Sequence, residues 1–341
     1  MYVGGEIDAG AFGGTATVAF TSTGVGTTGA PDVSVVSGPV TLSGKVYTPA
    51  QAQVPTPSVD FGIVHKGDVA LKAVEVRNTA AVTALNDLLL GSFTGVSAPF
   101  TATGTLGTGI AAGAADATSL KVGLATASAG LFNGSATLAL ASHNADLTDL
   151  ALTPVALTLT GQVNNLAKLD LTKLGGAGDF SKSGTTFLLD FGTLLPGSGA
   201  RTALLGLSSA IPGGEPGDLL DVFFSFNAPD LVLTLNAQDF LLTGFGPHTD
   251  IAPGAEVTGP SIGFDPKLGL GGFDEIITLN GRGHNASGFS EDLPPLTLEL
   301  RAFIQPPGSA VPEPATLVLV LTGIVLFRAM HMLRGIRARF E

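Results

Sequence analysis

The sequence has no cysteine, no tryptophan, only two tyrosines and few charges. Without cysteine there is no disulfide framework, no thiolate metal site and no sulfur nucleophile, and the redox compartment stays open. Lys+Arg number 16 against 28 Asp+Glu, a formal net charge of −12. A chain this acidic lacks the basic footprint that phosphate backbones require, so nucleic acid is excluded as a partner. Long helices are also disfavoured, because 47 glycines and 21 prolines in 341 residues demand many turns. Apolar residues, by contrast, make up 45% of the chain and charged ones 13%, which rules out disorder over most of its length. The length suffices for two or three domains, each with its own core.

Small polar and apolar residues alternate through most of the sequence, the period-two pattern of strands with one buried face. In Thr15-Ala16-Thr17-Val18-Ala19-Phe20 the even positions are apolar, and Ser135-Ala136-Thr137-Leu138-Ala139-Leu140 repeats that pattern. The flanking segments Ala9 to Gly14 and Ala129 to Gly134 correspond too, placing Phe12 and Phe132 120 residues apart. Val40 to Val46 matches Leu157 to Val163 at an offset of 117, which a three-residue loop deletion explains. A second signature, Val59-Asp60-Phe61-Gly62 and Leu189-Asp190-Phe191-Gly192, recurs at a spacing of 130 and opens each unit. Leu296 to Phe303 has the alternation of a unit-closing strand, so a further unit ends near Ile304. Repeats of this size, built from short strands between Gly, Asn and Pro turns, predict tandem antiparallel sandwiches rather than a solenoid or propeller.

These correspondences divide the chain. Residues 1–47 match only the second half of a unit; 48–58 form a Pro-rich, extended linker; 59–163 and 164–304 are sandwich domains; 305–311 is a second linker; and 312–341 is a tail of different character. A half sandwich exposes strand edges and an apolar face. The expectation is therefore that Met1 is an internal residue or a misplaced start, with more sequence upstream. Met1 to Glu6 has neither the basic region nor the apolar core of a signal peptide.

In the tail, Val311-Pro312-Glu313-Pro314 precedes a continuous apolar run from Ala315 to Phe327 that includes Leu317, Leu319, Leu321, Ile324 and Leu326. A basic end follows, with Arg328, Arg334, Arg337 and Arg339. As a helix, thirteen residues reach about 20 Å, short of the roughly 30 Å hydrocarbon core. Extension through Ala329 to Leu333, with Arg328 snorkelling, gives a membrane segment. The arginines beyond it stay cytoplasmic by the positive-inside rule, placing residues 1–310 across the membrane. The alternative is a terminal helix docked on the last domain, against which the unbroken rather than 3.6-period hydrophobicity argues.

Pro312-Glu313-Pro314, the apolar stretch and the Arg-rich end, in that order, resemble the PEP-CTERM sorting signal of Gram-negative bacteria that make extracellular polysaccharide. The resemblance implies export through an N-terminal signal peptide, membrane retention by the tail, and cleavage near the motif by an exosortase. Leu159-Thr160-Gly161-Gln162-Val163-Asn164-Asn165-Leu166-Ala167 and Leu188-Leu189-Asp190-Phe191-Gly192 resemble choice-of-anchor D type surface proteins, which implies chains of immunoglobulin-like sandwiches joined to variable anchors. The expected fold is thus all-β, with tandem immunoglobulin-like β-sandwich domains followed by one C-terminal transmembrane helix.

Few residues offer chemistry. Gly259-Pro260-Ser261-Ile262-Gly263 fits the G-x-S-x-G pattern of a hydrolase nucleophile, but its flanks read as turns rather than as strand and helix. His65, His143, His248, His284 and His331 lack the spacing of a metal site and read as loop residues. Asp218, Asp221 and Asp230 could supply oxygens to Ca²⁺, yet show no ordered ligand spacing, and a solvated turn is the competing reading. Gly269, Gly271 and Gly272 are not placed to cradle phosphate. Asn133-Gly134-Ser135 and Asn285-Ala286-Ser287 match the glycosylation acceptor pattern, which also arises by chance.

No cofactor, metal or active site is expected. The sequence points to a non-catalytic surface or matrix protein whose partners are an exosortase, the membrane through its C-terminal helix, and extracellular polysaccharide. A carbohydrate-binding adhesin is the alternative, weakened by the scarcity of aromatic rings on which sugars stack, and a secreted hydrolase is a third reading.

Overall fold

The computed structural model describes residues 8–226, 239–267 and 269–306. These residues are all-β and divide into two compact units. Of the described residues, 8–166, 211–218 and 285–289 make the first, and 167–210, 219–226, 239–267, 269–284 and 290–306 make the second. Among the described residues no helix is long and apolar enough to cross a membrane; the expected span, 315–327, lies outside them.

In the first unit the alternating segments become strands where the sequence predicts them. The long strand Gly130–His143 pairs antiparallel with Leu88–Val96 on one side and with Val155–Asn164 on the other. Val155–Asn164 closes the unit and takes the opening strand Ser58–His65 alongside it in parallel. Short strands Phe100–Thr103, Lys121–Leu124 and Ala70–Ala73 form one opposing sheet, and Ala115–Asp116, Val76–Asn78 and Ala52–Gln53 form another. The alternate residues Val59, Phe61, Leu138, Leu157 and Leu159 from the first sheet meet Ala70, Val76, Phe100, Val122 and Leu124 from the others in one core.

The second unit repeats this plan. Gly271–His284 pairs with Leu219–Phe226 and with the closing strand Leu296–Ile304, and Thr186–Leu194 runs parallel to the closing strand. Opposite them, Leu169–Gly176, Arg201–Ser209, Ser261–Phe264 and Phe240–Thr243 make the second sheet. Phe187, Leu189, Leu205, Leu220, Phe240, Phe264, Leu279 and Leu298 are fully buried between the two.

The Asp-Phe-Gly signature marks the same device in both units. Asp60 lies opposite Thr160 and Ile63 opposite Gln162, so Phe61 and Gly62 together face one closing-strand position. Asp190 lies opposite Arg301 and Thr193 opposite Phe303, which repeats the bulge. Gly62 and Gly192 have φ of +70° and +72°, a backbone that side chains disfavour. Each glycine N–H donates to the aspartate two residues before it, at 3.0 Å to Asp60 and 2.7 Å to Asp190. The phenylalanine between them turns into the core, where Phe61 meets Phe100 at 6.0 Å and Phe191 meets Phe240 at 6.1 Å.

Residues 10–46 form a hairpin. Gly10–Thr17 pairs antiparallel with Pro39–Val46, and Phe20–Ser22 with Val33–Val35. Phe12 lies opposite Gly44, as Phe132 lies opposite Gly161 and Phe273 opposite Ala302, so the register follows the sequence correspondence.

The Pro-rich stretch 48–58, expected as a spacer, is built into the first unit. Ala50 N–H donates to the buried Ser142 hydroxyl at 2.7 Å, Gln51 N–H to Asn78 Oδ1 at 3.1 Å, and Ala52–Gln53 joins a sheet. Prolines at 49, 55 and 57 flank this short strand, so none removes one of its donors.

Candidate functional site

Three places bring polar side chains together. The first is the surface of the opening bulge in unit one. Asp60 accepts from Gly62 N–H and from the Thr160 hydroxyl at 2.9 Å, and these bonds hold its carboxyl below the usual range. Asp60, Asn133, Thr160 and Gln162 line an open depression of about 370 Å³ with Leu131 and Phe132 beside them.

The second is buried. Asp218, fully enclosed, receives His65 Nε2 at 2.7 Å on one carboxylate oxygen, and the amides of Asn164 and Asn285, each at 2.8 Å, on the other. Its own N–H donates to Asn165 O, and Phe289 packs on the His65 ring at 4.2 Å. Both carboxylate oxygens are hydrogen-bonded, two amides on one and the imidazole on the other, so this cluster is an internal clasp of the first unit. It joins residues 153 positions apart, a pairing no sequence spacing signals.

The third lies in the second unit, where Asp221, Asp250 and His284 bring their ligand-type atoms within 4.8 Å of one another. Leu220 pairs with Ile251 but Val222 with His248, so two residues bulge opposite Asp221. Asp250, at φ +57°, is one of them. Asp221 Oδ1 accepts from Asp250 N–H at 2.9 Å and lies 3.2 Å from His284 Nε2, which is 3.4 Å from Asp250 Oδ1. Two carboxylates and an imidazole are a plausible donor set for a divalent cation, but here they already bond one another and close the bulge.

The remaining sequence candidates separate. Of the three aspartates considered for Ca²⁺, Asp218 is in the buried clasp, Asp221 in the histidine cluster, and Asp230 outside the described residues. The histidines expected in loops stand at strand ends: His65, His143 and His284 close strands and His248 opens one, while His331 lies outside the described residues. Their imidazoles find local partners there, as His143 does with Asp149 at 2.6 Å and His248 with Gly244 O at 2.9 Å. Ser261 begins a strand, opposite Leu204 and Thr243 in the middle of a sheet, and no helix follows it. The elbow that exposes a nucleophile is therefore missing. Gly271 and Gly272 start the strand Gly271–His284 rather than a phosphate-binding turn. Asn285 uses its amide nitrogen on Asp218 and its oxygen on Ser287, so the acceptor triplet there is engaged in a turn. The sorting motif Pro312-Glu313-Pro314, the apolar run and the terminal arginines lie outside the described residues.

No family model and no curated protein matches the chain. Solved structures with similar arrangements include a Porphyromonas gingivalis W83 protein of unknown function, at 13% identity, TM-score 0.23, covering 74% of this chain and 99% of that one. The adhesive subunit CfaE of the enterotoxigenic Escherichia coli CFA/I fimbria matches at 8% identity and TM-score 0.33, covering 75% and 100%. Human protocadherin-24 EC1-2 matches at 14% identity and TM-score 0.30, covering 76% and 99%. At these scores the sandwich architecture rests on the sheets and cores of the chain itself.

Proposed function

We propose that the chain is a non-catalytic, exported β-sandwich protein displayed at the cell surface or in the extracellular matrix, sorted through residues 312–341 by an exosortase. The observation that carries this reading is repetition of a scaffold: among the described residues one sandwich plan, with the same Asp-Phe-Gly bulge and the same buried phenylalanine pair, is used twice. The signature residues thus build the scaffold, and the G-x-S-x-G serine sits within a sheet. The tail supports export by its order of motif, apolar run and arginines. Intact-mass measurement of the protein released by a producing cell tests the proposal. The expected chain ends near Pro314; a chain ending at Glu341 and soluble in the cytoplasm rejects it.

A carbohydrate-binding adhesin is the second reading. It is favoured by the open depression over Asp60, Asn133, Thr160 and Gln162, where amides, a hydroxyl and a carboxylate converge beside Phe132. A glycan array on the purified chain, repeated with Asn133→Ala, decides between display alone and sugar recognition.

A further inference from the structure

The two units place a histidine at the same register position and differ beside it. In the first, His143 pairs with Leu88 and Ala141 with Leu90; in the second, His284 pairs with Leu219 and Arg282 with Asp221. Asp221 thus stands where the first unit has Leu90, so the sandwich plan does not call for a carboxylate there. Its side chain is only 17% exposed, and enclosing a carboxylate is unfavourable unless a positive charge or several donors compensate. The cation that the register offers is engaged elsewhere: Arg282, directly opposite Asp221, reaches Ser290 at 2.6 Å and Asp292 at 3.8 Å. Among the described residues no lysine or arginine forms an ion pair with Asp221 or Asp250, and the His284 ring faces both.

We propose that Asp221, Asp250 and His284 bind one divalent transition-metal ion of the Zn²⁺ class, which staples the strand His248–Ile251 to its sheet. The donors are spaced as ligands around such an ion are. His284 Nε2 lies 3.2 Å from Asp221 Oδ1 and 3.4 Å from Asp250 Oδ1. Two ligands held about 2.0–2.1 Å from a tetrahedral centre stand about 3.3 Å apart. The remaining edge, between the two carboxylates, is no longer than 4.8 Å and closes by rotation of Asp250, whose side chain is 68% exposed. Three successively paired strands carry the donors: Asp221 in Leu219–Phe226, His284 at the end of Gly271–His284, and Asp250 in the bulge of His248–Ile251. Their neighbours Leu220, Val222 and Ile251 are buried in the core, which holds the backbone at both aspartates in place. The Asp250 N–H that donates to Asp221 Oδ1 at 2.9 Å orients this carboxylate as hydrogen bonds orient metal-bound carboxylates. Without the ion a proton on His284 Nε2 joins the same groups, and the ion takes the place of that proton. Imidazole selects Zn²⁺ and its neighbours in the first transition row over Ca²⁺ and Mg²⁺, which take oxygen ligands. His248–Ile251 is the last strand of its sheet among the described residues, and the bulge interrupts its ladder, so the ion supplies a fastening where main-chain bonds are fewest. This inference goes beyond display and depends neither on the tail nor on sugar recognition.

The test uses the 341-residue chain, stripped of metal with EDTA and titrated with zinc chloride in a calorimeter. Binding of one ion per chain is expected, with thermal unfolding shifted upward in saturating zinc. Asp250→Asn and His284→Gln are each expected to weaken zinc binding by about tenfold or more and to remove the zinc-dependent shift. His143→Gln, which changes the equivalent histidine of the first unit, is expected to leave both unchanged. Asparagine accepts the φ of +57° at position 250, and the side chain there is exposed, so the metal-free melt of Asp250→Asn matches the parent. That match separates loss of the ion from loss of the fold. Absence of zinc binding, binding that survives Asp250→Asn and His284→Gln, binding lost in His143→Gln, or tighter binding of Ca²⁺ than of Zn²⁺ overturns the proposal.

Discussion

Asp60 shows how one side chain fixes a strand. Its carboxylate takes up the N–H of Gly62, which at φ +70° points out of the ladder, and the Thr160 hydroxyl from the neighbouring strand. Both bonds favour the ionised form and hold the carboxyl below its ordinary range. A depressed carboxyl binds protons less readily in the folded chain than in the unfolded one. Its contribution is therefore complete above the ordinary aspartate value and is lost as pH falls through the folded value. Asp60→Ala is expected to cost about 1 kcal/mol at neutral pH in urea unfolding, with the difference from the parent chain shrinking on acidification. Asp218 has the opposite setting, fully buried and encircled by His65, Asn164 and Asn285, and its role is closure of the first unit rather than exchange with solvent.

Strands are the scale at which the sequence was most legible. Alternation in Ser135 to Leu140 and Leu296 to Phe303 is enough to place both on long strands, because a half-buried strand has no other way to sort its side chains. The Asp-Phe-Gly repeat was visible in the sequence, but in the second unit it does not come first, since Leu169–Gly176 and Asp179–Ser183 precede it; the bulge was not visible, since it depends on a positive φ and on a partner strand about a hundred residues away. Residues 48–58 misled for a related reason. Their prolines signal extension, and only the distant Ser142 and Asn78 show that the extended segment is packed. The histidine cluster was equally hidden, because Asp250 reaches Asp221 through a bulge that no spacing reveals. Burial is likewise a property of neighbours and not of pattern: Leu42 and Leu159 have the same register and opposite exposure. Leu159→Ala is expected to destabilise the first unit by about 2–5 kcal/mol, leaving a cavity between its sheets. Leu42→Ala is expected to stay within about 0.5 kcal/mol of the parent, and paired thermal melts compare the two.

For the whole molecule, one sandwich plan appears in two copies, each with its own core. Each unit buries its apolar residues in its own core and turns Thr, Ser and Asn outward. Apolar side chains also remain on the surfaces of both units, among them Val69, Leu131, Leu241 and Leu270. In each unit the strand that carries the Asp-Phe-Gly signature runs beside the closing strand and in the same direction. Tension applied between Ser58 and Asn164 therefore drags these two strands past each other along their length. The bonds between them must then yield together, where an antiparallel pair pulled from one end would open one rung at a time. Single-molecule stretching from those two positions should give rupture forces well above those for pulling across the antiparallel Gly130–His143 and Val155–Asn164 pair at its turn. A sandwich stitched in this way is suited to withstand flow and traction.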